Sequence, residues 1–401
     1  MADHILTINT GSSSLKAALY GLDEGETRRL TAKAERIGLP ESRLRIVGET
    51  GAILVDQTGG FSDHAAALDE VFAWLRQNGL DVGLAAVGHR VVHGGRAFRE
   101  PRLLDDRVVR EIELLVPIDP EHLPQALDAI KATVRAYPTL PQAACFDTAF
   151  HRRMPAVAQR YALPRSLADG GVIRYGFHGL SYEYIMTELE RLDPGAARGR
   201  VIIAHLGNGA SLAAVRGGVG VDTTMGFTPT GGLVMGTRSG DLDPGVLLYL
   251  LQSKGLSAEK INTLVNRQAG LLGVSGSSGD MQDLLAREAS DPRAAEAVDL
   301  FCYQARKFLG ALAAALGGVE TLVFTAGIGE HAAPVRERIC AGLEFLGVRL
   351  DAGRNAAHEP IISRDDSAVS VRVIPTDEEL MIARHTRRLI RGGEEQGGNR
   401  V

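Results

Sequence analysis

The chain has 401 residues, enough for two domains with real cores. Its hydrophobic content of 45% and charged content of 23% are those of a water-soluble globular protein. A net charge of −5 provides no basic footprint for nucleic acid and no polybasic membrane patch. The three cysteines, Cys145, Cys302 and Cys340, are far apart and form no CxxC pair. A disulfide framework or zinc cluster is therefore not expected, and a reducing cytoplasm is. The N-terminal segment carries an acid where a signal peptide has a base, and the most apolar long stretch, 308–319, is too short to span a bilayer.

Residues 4–20, HILTINTGSSSLKAALY, read as strand, small-residue turn, strand. Residues 21–60 alternate polar and β-branched positions, which predicts further antiparallel strands. Helical spacing follows over 62–78, with Ala66, Leu68, Val71, Phe72 and Leu75 on one face. Residues 85–95, AAVGHRVVHGG, form a strand entering a Gly pair. His89 and His93 are four apart on a strand pattern with no Glu after His89, so the zincin reading fails. Helices are predicted at 107–115 and 124–137, and a strand over 142–146 ends at Asp147.

The second half begins with a Gly-rich loop, 170–181, a helix over 182–192 and a linker over 193–199. Residues 201–215, VIIAHLGNGASLAAV, repeat the strand–turn–strand pattern of the N-terminus. Without gaps, Gly11 to Leu19 falls on Gly207 to Val215. Such turns leave backbone N–H groups open to an anion. Two similar hairpins suggest a duplicated domain gripping a phosphate chain; equally, the Gly and Ser can serve ordinary turns. Residues 226–244 form a long Gly/Thr/Pro-rich loop of the kind that is functional or mobile. Helices follow at 245–254 and 257–267, then a helical tract to 316. A strand over 321–325, a helix over 334–346, a strand over 371–375 and a helix over 376–390 complete the order, with 392–401 expected as a disordered tail. Thr376 and Glu379 have the spacing of a capping box, which leaves Glu378 free.

No GxxxxGK[ST] sequence exists, so a P-loop is excluded. Gly327, Gly329 and Ala332 match G-x-G-x-x-A after a strand, with Asp351 near the expected separation. An NAD-dependent oxidoreductase is thus one alternative. The other reading uses every Gly-rich turn: Ser12, Ser14 and Lys16 meet phosphates from one side, Asn208 and Gly209 from the other. Gly327 to Gly329 then pack against the nucleotide. Such a site transfers a phosphoryl group by positioning and charge neutralisation.

The motifs INTGSSSLK, GHRVVHGG, FDTAFH, RYGFHGLS, HLGNGAS, MGTRSGDLDP, FTAGIGEH and IPTDEEL occur in this order. Together they resemble the acetate kinase family over nearly the whole chain. The resemblance implies an α/β fold of two duplicated actin-like (ribonuclease H-like) domains with a central interdomain cleft. It places the domains at 1–147 with 383–401, and at 148–382. It implies reversible phosphoryl transfer from ATP to acetate, giving acetyl phosphate and ADP, with Mg2+ or Mn2+ and a homodimer. Propionate or butyrate kinase activity is the nearest alternative, and a non-catalytic actin-like nucleotide switch a more distant one.

Carried over by residue, Arg90 would hold the acyl carboxylate and Arg238 would bridge acceptor and phosphoryl group. His178 would donate to equatorial oxygens and Asp147 would orient an arginine. Val92, Ile118, Phe177 and Pro229 would line the acyl pocket. Ser12, Ser14, Lys16, His205, Asn208, Gly209, Asp280, Gly327, Ile328 and His331 would bind nucleotide, with bracing of its turn the alternative role for His205. Asn9 and Glu378 would hold the metal. The chain departs from the family pattern at several positions. The loop Pro117-Ile118-Asp119-Pro120 is one residue short, Thr230-Gly231 stand where Leu-Glu is common, Tyr182 replaces a His, and His331 replaces an Asn.

Overall fold

The computed structural model describes residues 4–22 and 25–397. The chain divides into two compact units, Met1–Ala149 with Asp377–Val401, and Phe150–Thr376. Residues 377–382, assigned from sequence to the second domain, belong to the first unit with the rest of their helix.

In the first unit, β1 (His4–Thr10), β2 (Ser14–Gly21), β3 (Arg28–Glu35), β4 (Ser42–Gly48) and β5 (Ile53–Gly59) run as an antiparallel meander. Strand β6 (Leu84–Val91) adds parallel to β1, β8 (Gln142–Phe146) adds parallel to β6, and the short β7 (Arg102–Leu103) closes the edge. The period of two along β1 and β2 sorts their side chains. Leu6, Ile8, Leu15, Ala17 and Leu19 join the core beneath the helix His64–Gln77. Ile5, Ala18 and Tyr20 face the other way and pack with Ala383 of the helix Glu378–Gly397.

The second unit repeats the plan. Strands β9 (Arg200–Leu206), β10 (Ala210–Arg216) and β11 (Val219–Thr223) are antiparallel, and β12 (Thr321–Thr325) and β13 (Ser370–Val373) add in parallel. The order β11-β10-β9-β12-β13 matches β3-β2-β1-β6-β8. This is the duplicated α/β fold expected from the paired hairpins. It is not a Rossmann sheet, because half of its shared pattern is an antiparallel meander. Asp351 is accounted for otherwise: its carboxylate caps the helix Ala352–Ala356 by accepting from the Arg354 N–H at 2.9 Å.

Several local expectations change. The ungapped match of the two bends slips by one residue, since Thr10 pairs with Leu15 whereas Leu206 pairs with Ala210. The stretch 193–199 contains the helix Pro194–Arg198, capped by Asp193. The last helix continues to Gly397, so the tail expected from 392 is helical that far; residues 398–401 lie outside the described residues. Its cap is Asp377, whose carboxylate accepts from the Leu380 N–H at 2.9 Å. Thr376 takes no part in a capping box, because its hydroxyl bonds Ser181 and its N–H bonds Glu330.

Candidate active site

In the first unit the polar groups meet at the ends of β1, β6 and β8. Asp147 is fully buried just beyond β8 and grips Arg90 of β6. Arg90 Nη2 donates to Asp147 Oδ2 at 2.6 Å, and Nε reaches both carboxylate oxygens at 3.0 and 3.1 Å. Arg90 Nη1 donates to Asn9 Oδ1 at 3.0 Å. Burial alone would favour loss of the Arg90 proton, but Asp147 and Glu378 overcome it and hold the guanidinium charged. Asn9 in turn donates to Glu378 Oε2 at 3.3 Å and Glu379 Oε1 at 3.1 Å. Burial raises the Glu379 pKa, and the neighbouring Glu378 and Asp377 raise it further against the opposing pull of Lys16.

The bend after β1 turns its carbonyls inward. Gly11 O accepts from His64 Nε2 at 2.8 Å, Ser13 O from the Ile37 N–H at 3.0 Å, and Ser14 O from the Gly11 N–H at 2.8 Å. These three oxygens are engaged within the fold, and the exposed side of the bend carries side-chain donors. Ser12 lies there, with Ser14 beside it and the exposed Lys16 amine two residues on. A surface of donors suits an anion. His64 was not among the residues singled out from sequence. Its place at the start of a helix hides the long-range bond.

In the second unit, His178 and Arg238 converge on the bare α-carbon of Gly209. A methyl group built there would lie 3.3 Å from His178 Nε2 and 3.5 Å from Arg238 Nη1. His178 adopts left-handed backbone angles (φ 59°, ψ 25°) ahead of the helix Gly179–Leu192, strain of the kind that collects at functional sites. Its ring stacks on His205, with centroids 4.1 Å apart. Nδ1 of His178 bonds Ser211 Oγ at 2.9 Å, and Nδ1 of His205 bonds Ser181 Oγ at 2.8 Å. Arg238 comes from the long loop, which is packed rather than loose: Leu233 and Met235 are buried, and Met235 N–H bonds Arg238 O at 3.1 Å. Arg238 Nη1 also donates to Pro229 O at 3.3 Å.

A pocket of about 700 Å³ opens beside this bend, within the size range of small-molecule sites. Asn208, Asp280, Gly327, Ile328 and His331 line it, as do Met281, Gln282, Leu285 and Pro334, which the sequence reading did not single out. Met281, Gln282 and Leu285 come from the helix Met281–Arg287, and Pro334 from the helix Ala333–Cys340. Gly236 packs so closely on Asn208 that any β-carbon there would strike its side chain. Of the proposed acyl-pocket residues, Val92 and Phe177 are buried, Pro229 is buried and Ile118 is half-buried.

A profile of the acetokinase family matches residues 4–384. The chain belongs to the acetokinase family. An acetokinase relative, the acetate kinase of Nitrobacter hamburgensis, is 48% identical over 393 residues, covering 97% of this chain and 96% of that one. The crystal structure of Porphyromonas gingivalis acetate kinase aligns with a TM-score of 0.88 at 38% identity, covering 97% and 100% of the two chains. A propionate kinase from Francisella tularensis aligns with a TM-score of 0.91 at 35% identity, covering 96% and 100%. ATP is the phosphoryl donor of the acetokinase reaction, and this family assignment removes the oxidoreductase and the non-catalytic switch as readings.

A magnesium ion keeps most of its water and takes one or two carboxylates plus phosphate oxygens. Glu378 suits that demand. Asn9 fits it less directly, since its oxygen already accepts from Arg90 and its nitrogen faces Glu378 and Glu379. Among the described residues there is no group of three His, Cys, Asp or Glu placed to hold a metal by themselves.

Proposed function

We propose that the chain catalyses reversible transfer of the γ-phosphoryl group of ATP to acetate, giving acetyl phosphate and ADP. The observation that carries this reading is the convergence of His178 Nε2 and Arg238 Nη1 on Gly209, beside a pocket of nucleotide size. Arg90, fixed by Asp147, receives the acid's carboxylate. One carboxylate oxygen attacks the γ-phosphorus, and the bond between that phosphorus and the bridging oxygen of ADP breaks. Both reactants are anions, so the cations around them supply much of the rate. Arg238 spans incoming oxygen and phosphoryl group, and His178 donates to an equatorial oxygen as charge redistributes. Ser12, Ser14, Lys16, Asn208 and Gly209 hold the phosphates. Asp280, Gly327, Ile328 and His331 hold the nucleoside, and His205 braces His178 by stacking.

Glu378 would hold Mg2+ through water, with Asn9 orienting its carboxylate; the ion, when bound, neutralises phosphate charge. Val92, Ile118, Phe177 and Pro229 form the apolar end of the acid site. The working form is a homodimer in the cytoplasm. Its contact surface includes the helix Pro244–Gln252, an apolar helix with no buried residue, whose Leu248 and Tyr249 are each about half exposed.

A hydroxamate assay with ATP and acetate, propionate or butyrate tests the reading. Acetate is expected to give the highest kcat/KM. Arg238→Ala should keep ADP binding by calorimetry and lose most turnover. Retained turnover would remove Arg238 from the mechanism, and a higher kcat/KM for propionate would move the assignment to that acid.

A further inference from the structure

We propose that Tyr182 is a positioning residue which, through Ser211, holds the His178 imidazole as the neutral tautomer with its proton on Nε2. The inference rests on the reading of His178 as a donor to the phosphoryl group, and asks what gives that nitrogen its proton.

Neutral imidazole has one donor nitrogen and one acceptor nitrogen, and the bond made by one decides the role of the other. His178 Nδ1 lies 2.9 Å from Ser211 Oγ, which lies 2.5 Å from the Tyr182 hydroxyl. All three side chains are buried. A serine hydroxyl has a single proton. A phenol is a stronger donor than an alkyl hydroxyl, and an imidazole nitrogen is the strongest acceptor of the three. The favoured order is therefore Tyr182 to Ser211, and Ser211 to Nδ1. Nδ1 then accepts, and the proton sits on Nε2, the atom that a β-carbon built on Gly209 would meet first.

Two features make the neutral form the relevant one. His178 stands at the N-terminus of the helix Gly179–Leu192, whose dipole opposes a positive charge. Arg238 Nη1 lies beside the same α-carbon and opposes it too. Once the ring is neutral, a donor at Nε2 exists only in one tautomer.

The arrangement repeats one layer away. The Thr376 hydroxyl donates to Ser181 Oγ at 2.9 Å, and Ser181 Oγ bonds His205 Nδ1 at 2.8 Å. Two stacked imidazoles thus each meet, on Nδ1, a serine backed by a second hydroxyl. Tyr182 itself lies one helical turn after His178, and its N–H bonds the His178 carbonyl at 3.1 Å. The strained backbone at 178 and the hydroxyl that orients its ring are built from one turn of helix.

The test combines nuclear magnetic resonance with kinetics on the full chain. Long-range 1H–15N spectra distinguish the two tautomers, and His178→Gln assigns the ring. Wild type should show the Nε2–H form for His178; an Nδ1–H form overturns the proposal. Tyr182→Phe removes one hydroxyl and keeps the ring's packing. It should populate the Nδ1–H form and lower kcat about fivefold, the factor that one net hydrogen bond carries, with KM for ATP and acetate unchanged. Ser211→Ala should do the same, and the double variant should lose no more than the worse single one. An unchanged tautomer in Tyr182→Phe, or additive losses in the double variant, overturns it. Failure of the underlying reading looks different: His178→Gln would then retain wild-type kcat while the wild-type spectrum still showed Nε2–H.

Discussion

Adding one methyl group at Gly209 separates the roles assigned to the second bend. A β-carbon at that position would sit 3.3 Å from His178 Nε2 and 3.5 Å from Arg238 Nη1. Neither group can retreat freely. The His178 ring is stacked on His205 and tied at Nδ1 to Ser211, and Arg238 Nη1 is tied to Pro229 O. An oxygen accepting from Nε2 needs about 2.7–3.1 Å, so the methyl occupies the place a phosphoryl oxygen would take. Loss of one such donor costs about 10²–10³-fold in kcat, and Gly209→Ala should fall in that range. The pocket wall formed by Asp280, Met281, Gln282, Gly327 and Ile328 is untouched, so ADP should still bind by calorimetry, with a smaller loss than that in kcat. Gly209 is absent from the glycines with positive φ, so alanine there adds no backbone strain, and the melting temperature should stay within a few degrees. Wild-type turnover in Gly209→Ala would show that the two donors do not work at this carbon and would sink the mechanism with them.

Asp147→Asn leaves the Arg90 charge without its carboxylate. Removing one partner of a buried ion pair costs about 3 kcal/mol, which urea denaturation would read, and KM for acetate should rise as the guanidinium loses its orientation. His64→Ala frees the Gly11 carbonyl, so KM for ATP should rise several-fold with kcat little changed, while His64→Gln, which can still donate, should recover part of the loss. Burial pushes the imidazoles of His89 and His151 down to about 4. In the unfolded chain they take up protons near pH 6.5, so the unfolded state binds protons first as the pH drops. Stability should therefore be full above about 6.5 and fall between there and about 4, by roughly 3 kcal/mol per histidine at most. Melting curves from pH 7 to 5 would show the slope, and an unchanged slope in His89→Gln would refute His89's share in it.

How much of this could be read in the sequence depended on the range of the interaction. The two hairpins are local patterns of apolar alternation and small-residue turns, and both formed with the strands expected. Their one-residue mismatch was invisible, because bend length is set by the pairing of Thr10 with Leu15 and of Leu206 with Ala210 across each turn. Asp351 and Thr376 misled for the opposite reason. Each sits at a spacing that fits a motif, and each has a nearer use: Asp351 caps its own helix, and Thr376 bonds Ser181. The loop 226–244 could be recognised only as long. What makes it rigid is contact with residues 265–272, including the bond from the Ser239 N–H to Val265 O.

The same limit explains why Ser211, though it ends the HLGNGAS motif, and Tyr182 receive no site role from the sequence. Ser211 lies directly across the β9–β10 pair from His205, which would suggest those two as partners. The structure crosses them instead: Ser211 serves His178, and His205 is served by Ser181. With the two imidazoles stacked at 4.1 Å, His205 turns from its strand neighbour to Ser181 of the helix beginning at Gly179, and Ser211 is left to the His178 ring. That helix therefore delivers His178 at its cap, Ser181 in its first turn and Tyr182 one turn on. The tyrosine at 182 supplies the hydroxyl behind the donor, and removing it leaves the donor in place. This is why a change at 182 should register in the tautomer of His178 before it registers in the affinity for either substrate.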